Sequence, residues 1–126
     1  MARQAGDTLH ASSEIIGHDD PDENTDAGDA VAVGPDGNLV QADGTDELFG
    51  IRARLRQSRD IASVVHDGVV VARVADGVEG GDALDTSGTV GELDAEGGGP
   101  ALALSDEGGT YRGASIPDGH AAVLVR

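Results

Sequence analysis

Three groups of side chains in this sequence have the types that chemistry uses. The first is the acidic run His18-Asp19-Asp20-Pro21-Asp22-Glu23-Asn24-Thr25-Asp26, with Asp29 following. Hard cations such as calcium or magnesium take several carboxylate oxygens, and Asp20, Asp22 and Asn24 repeat the opening spacing of a helix-flanked calcium loop. Position six of that loop is then Thr25, where the turn demands glycine, and position twelve is Val31, where a bidentate glutamate is required. The run therefore reads as a solvated acidic hinge rather than an ion site. The second group is the row Arg52, Arg54, Arg56, with Arg59 nearby, which puts half of the eight positive side chains within eight residues. Guanidinium forks make bidentate pairs with carboxylates. Two uses are open to the row: pairing across a subunit boundary, or pairing with Asp and Glu of adjacent strands in the same subunit. The third group is His10, His18, His66 and His120, which lack ligand spacing.

No reaction follows from these groups. Gly113-Ala114-Ser115-Ile116-Pro117 misses the last glycine of a nucleophile elbow, and a phosphate-binding loop needs a lysine, of which the chain has none. A biotinyl or lipoyl carrier domain also needs a lysine and is excluded on the same ground. Cysteine is absent, which removes thiol nucleophiles and thiolate zinc sites. The sequence predicts no enzyme, no metal site and no cofactor.

The elements that would position these residues are strands. From Ala27 onward, short Val/Ala/Leu/Ile runs alternate with Gly, Asp and Pro at spacings typical of small all-β domains. Ala30–Val33, the turn Gly34-Pro35-Asp36-Gly37-Asn38 and Leu39–Ala42 predict a hairpin. Over Leu48–Gln57 a period of two turns Phe49, Ile51, Ala53 and Leu55 inward and the arginine row outward. Ile61–His66, the turn Asp67-Gly68 and Val69–Val74 predict a second hairpin. Ala83–Asp85, Val90–Asp94, Pro100–Leu104 and Ala121–Arg126 supply further strands, the last tying the C-terminus into the sheet. The fold expected is all-β, a small antiparallel β-barrel or sandwich of eight or nine short strands over residues 27–126. Residues 1–26 carry only scattered apolar positions and are expected as a flexible N-terminal arm with the acidic hinge. Leu9, Ile15 and Ile16 are its candidate partner-binding residues, and Phe49, Arg52, Arg54 and Arg56 the candidate subunit interface.

Composition sets the surroundings. In 126 residues there are 17 Asp, 7 Glu and 8 Arg, a formal net charge of −16, and only 2% aromatic residues. In dilute salt so much like charge on a small body destabilises the compact state; at molar ionic strength the Debye length is about 3 Å and the repulsion fades. A salt-saturated cytoplasm is the expected setting. A polyanionic surface in brine is unsuited to nucleic acid, which is bound through basic side chains and counterion release. No apolar run approaches the ~20 residues of a membrane helix, and the opening residues lack an apolar export segment. A core of Val, Leu, Ile and Ala is thin, and self-association would add burial.

Taken in order, Ala27–Val33, Asp36–Ala42, Phe49–Ala53, Asp67–Ala72, Gly80–Leu84 and Gly119–Arg126 resemble the small decoration proteins of tailed-virus heads, β-rich chains with glycine-aspartate openings and an apolar terminal strand. The resemblance implies a virion protein that forms homotrimers on the outer capsid surface, binds the major capsid protein and stabilises the head, with the N-terminal arm as a capsid contact. With the acidity, it implies a haloarchaeal virus, its protein made in the host cytoplasm. The alternative is a generic β-rich interaction domain, or a fibre or turret base protein, of a halophilic virus or host.

Overall fold

The computed structural model describes residues 2–10, 12–95 and 98–126. Strands β1 (Glu14–Asp19), β2 (Ala30–Val33), β3 (Leu39–Gln41), β4 (Gly50–Arg56), β5 (Ile61–Arg73), β6 (Ala83–Thr86), β7 (Leu93–Asp94), β8 (Ala101–Ala103), β9 (Thr110–Tyr111), β10 (Ala114–Ser115) and β11 (His120–Val125) follow one another without a helix among the described residues. The fold is all-β, as the sequence predicts. One curled antiparallel sheet runs in the order β3-β2-β4-β5-β11-β8-β6-β7, β1 adds to β5 outside that path, and β9–β10 form a small hairpin apart. The two ends of the path are stitched at Gly91. Its N–H donates to the Ala42 carbonyl at 2.8 Å, and its own carbonyl accepts from Ala30 N–H at 2.9 Å. Gly91 holds φ at +78°, and a Cβ there would stand 2.8 Å from Arg73 Nη1, so a side chain at the seam would be strained and would displace the Arg73 head. Beside the seam the buried Asp29 carboxylate takes Arg73 Nη1 at 2.9 Å and Gln41 Nε2 at 2.8 Å.

Small aliphatic side chains fill the curl. Ile51, Val65, Val70, Val74, Leu84, Leu93 and Val123 pack together, with alanines of β2, β5, β8 and β11 between them. Two smaller apolar clusters lie apart from this one: Val31, Leu39, Ala62 and Val64 under half-buried Phe49, and Val71, Ile116 and Ala122 against Leu9, Leu104 and Tyr111. Along β2 and β11 neighbouring residues belong to different clusters, as alternation along a pleated strand requires.

β5 differs from expectation. The Asp67-Gly68 turn is absent, and Ile61–Arg73 is one strand of 13 residues. A two-residue hairpin would pair its two halves with each other. Here each half has other partners: Ile61–Asp67 lies with β1, and with β4 over part of that length, while Gly68–Arg73 pairs with β11. Gly68 provides the bend at φ +145°, and Ser13 occupies the place of its missing Cβ.

Within the expected flexible arm over 1–26, the described residues Gly6–Leu9 and Glu14–Asp19 instead lie along β5. Gly6 N–H and Leu9 N–H donate to the Val71 and Val69 carbonyls, both at 2.8 Å, and Val71 N–H returns to Asp7 at 2.9 Å. β1 then pairs from Ile15↔Val65 to Asp19↔Ile61. Scattered apolar residues suffice because the ordering is bought by backbone pairing to a strand that is already fixed, a contribution that hydropathy does not register. Gly6 is also wedged against β4: Arg54 N–H donates to its carbonyl at 3.0 Å, and a Cβ there would meet Arg54 N at 2.6 Å.

Candidate functional site

The arginine row and the acidic run meet inside one subunit. Asp20 is fully buried. Its carboxylate accepts from Asn24 N–H at 2.9 Å, the Thr25 hydroxyl at 2.8 Å and Arg56 Nη1 at 3.1 Å, while Arg56 Nη2 donates to the Asp20 carbonyl at 3.0 Å. Burial by itself raises this carboxyl, but the hydrogen bonds from Asn24, Thr25 and Arg56 outweigh it and hold it below the ordinary 3.8. The start of the expected solvated hinge is thus a docked turn. Its signal was present in sequence as Asp-Pro followed by Asn24-Thr25, donors that an aspartate can gather onto itself.

The other two arginines also find partners within the chain. Arg54 Nη1 lies 2.6 Å from Gln4 Oε1 and 3.7 Å from Asp7 Oδ1. Arg52, expected to face outward, is only 5% exposed, with its guanidinium on the Ala53 carbonyl and its Nε unpartnered. Burial lowers its pKa, as does nearby Arg56, while Asp20, Asp26 and Asp29 oppose the shift. Arg52 pairs with Val64 in regular register, so its burial means that this face of the sheet is covered as well, with Asp20, Asp26 and Asp29 nearby. Between Arg52 and Arg56 β4 then shifts register against β5, and past the shift Leu55, expected inward, is 71% exposed. Phe49 is half-buried, its ring 5.2 Å from that of His18 in an edge-on contact. Of the four residues expected at a subunit interface, the three arginines therefore have their head groups engaged within the chain.

The partner-binding candidates are divided. Leu9 is half-buried against Val71, Ile116 and Ala122 and acts as part of the core. Ile15 and Ile16 are 44% and 37% exposed on β1. Their strand pairs on one side only, with β5. Because Asp20 N–H donates to Asp60, alternation turns the peptide groups of Ile15, Gly17 and Asp19 away from β5, and none of these has a partner among the described residues. Next to this open edge, Gly6, Asp7, Thr8, Ile15, Ala53, Arg54, Leu55 and Ser63 line a groove of about 300 Å³. Ile15 and Leu55, 40 positions apart in sequence, thus line one groove across β5, with the unpaired backbone on the far side of β1. Leu55 is the member that sequence reasoning missed, since only the register shift exposes it.

Such an edge can accept a further strand, with main-chain hydrogen bonds giving affinity and the groove selecting a side chain. Among the described residues no group of three or more His, Asp or Glu side chains is placed to hold a metal ion, and no helix is long and apolar enough to cross a membrane. No family model and no curated protein matches the chain.

Proposed function

We propose that this chain is a virion structural protein, a head decoration protein of a tailed virus from a haloarchaeal setting, which assembles as a homotrimer and binds the major capsid protein. The observation that carries the binding part is the open edge of β1, with Ile15 and Ile16 exposed on that strand and Leu55 in the groove that Ile15 shares. In concentrated salt long-range charge attraction is screened, so a partner must be held by apolar burial and short-range hydrogen bonds, which this surface offers. The assignment to virus heads rests on the ordered sequence resemblance and on the acidic, lysine-free composition. Several such contacts in one oligomer act together through effective concentration, so each can be weak.

The test is co-sedimentation with assembled heads in molar KCl. Deleting residues 1–26 is the wrong perturbation, because Gly6, Asp7 and Leu9 hydrogen-bond to β5 and the deletion would damage the barrel. Ile15→Asp with Leu55→Asp alters exposed side chains only. The wild type is expected to pellet with heads and the double variant to stay in the supernatant with an unchanged melting temperature. A wild type that does not pellet refutes the capsid reading, and a double variant that pellets equally removes β1 from it.

A further inference from the structure

We infer that a second contact lies at the end of β2, in a cleft that receives an arginine or lysine carried beside an aliphatic residue on a partner polypeptide. The cleft has a volume of about 360 Å³ and is lined by Ala32, Val33, Asp46, Glu47, Leu48 and Phe49. Its apolar part is unfinished packing. β2 is buried through Ala30, Val31 and Ala32, but Val33, the next residue, is 45% exposed, and Leu48 and Phe49 beside it are half-buried. Above these stand two carboxylates. Asp46 spends one oxygen, Oδ2, on Asp43 N–H at 3.0 Å; Glu47 is exposed and accepts no hydrogen bond among the described residues. No arginine or histidine among the described residues lies within ion-pair distance of either.

The occupant follows from complementarity. An aliphatic side chain covers Val33 and Leu48, and the neighbouring cation reaches Glu47 and the free oxygen of Asp46. An anionic or purely apolar ligand would leave two carboxylates facing it without compensation. Arginine suits the place further because its planar head can lie on the Phe49 face while its fork meets a carboxylate. The cleft is separate from the groove at Leu55 and takes any protein partner of this chemistry, so it stands apart from the capsid reading.

The probe is a blocked pentapeptide, Gly-Leu-Arg-Leu-Gly, titrated into the full isotope-labelled chain in about 2 M KCl, where only short-range pairs persist, with Gly-Leu-Gln-Leu-Gly as comparison. Amide shifts are expected to gather at Val33, Glu47, Leu48 and Phe49, with the glutamine peptide at least about fivefold weaker. Glu47→Gln, an exposed change that leaves the fold intact, is expected to abolish the preference for arginine. Equal titration by both peptides, shifts gathered elsewhere, an unaltered preference in Glu47→Gln, or no shifts at millimolar peptide would each overturn the inference. None of these results bears on pelleting with heads, so the two readings fail separately.

Discussion

Replacing Asp20 by alanine removes a carboxylate that Asn24, Thr25 and Arg56 all address, and it leaves the Arg56 guanidinium, whose side chain is 19% exposed, without its counter-ion. Breaking a buried ion pair by deleting one member costs about 3–5 kcal/mol. Arg56 keeps a path to water and its bonds to the Asp20 and Arg59 carbonyls, at 3.0 and 3.2 Å, so the low end applies. With 126 residues and about 2.1 cal/mol/K of unfolding entropy for each, a loss of about 3 kcal/mol lowers the melting temperature by about 11 °C. The assay is thermal unfolding followed by far-ultraviolet circular dichroism in about 3 M KCl, which screens exposed pairs and leaves desolvated ones. Arg54→Ala, at a side chain 45% exposed, is the control and is expected to shift the midpoint by no more than about 4 °C. In the double variant Asp20→Ala/Arg56→Ala the losses should fall short of additivity by about 1–3 kcal/mol. A melting temperature for Asp20→Ala within about 3 °C of wild type would refute the docked turn and restore a solvated hinge over residues 19–26.

Because the folded Asp20 carboxyl sits below its ordinary 3.8, its stabilisation is present above that pH and lost as pH falls through the lowered value; acid titration of Asp20→Asn should therefore be shallower than wild type below about pH 4. Gly6→Ala, which combines φ +78° with a Cβ 2.6 Å from Arg54 N, is expected to cost about 3 kcal/mol or more in denaturant melts, against about 1–2 kcal/mol for Gly37→Ala, where φ is +86° and the space is open. Leu93→Ala, fully buried, should lose about 2–5 kcal/mol, while Leu55→Ala at 71% exposure should lose less than about 0.5 kcal/mol; equal losses would place Leu55 in the core. With a net charge of −16, dilution from about 3 M to about 0.1 M KCl should lower the melting temperature by more than about 10 °C, and a salt-independent midpoint would remove the brine reading.

Strands bounded by glycine-rich turns were readable because their signals are local. Ala30–Val33 and Leu39–Gln41 flank the turn at Gly34–Asn38 as the sequence predicts, and His120–Val125 follows Pro117-Asp118-Gly119. What escaped depends on partners distant in sequence. Asp67-Gly68 has the composition of a hairpin turn, yet β1, β4 and β11 claim the two halves of β5 and keep it one continuous strand. Residues 2–9 contain too few apolar side chains to announce order, and hydrogen bonds to Val69 and Val71 supply it. The arginine row obeys a period of two whose outer face is itself covered at Arg52, and a register shift beyond Arg52 leaves Leu55 exposed. Ile15 and Ile16 stand out in the sequence as apolar positions in a polar segment; the unpaired edge beside them does not.

The pairing of β1 with β5 also orders events during synthesis. Asp19 meets Ile61, which is made 42 residues later, and Glu14 meets Asp67. Glu14–Asp19 therefore emerges from the ribosome before its docking strand does and must wait unpaired until that strand follows. Docking of β1 is thereby tied to completion of the middle of the polypeptide, and a chain ended before Ile61 would leave Glu14–Asp19 with no strand to pair.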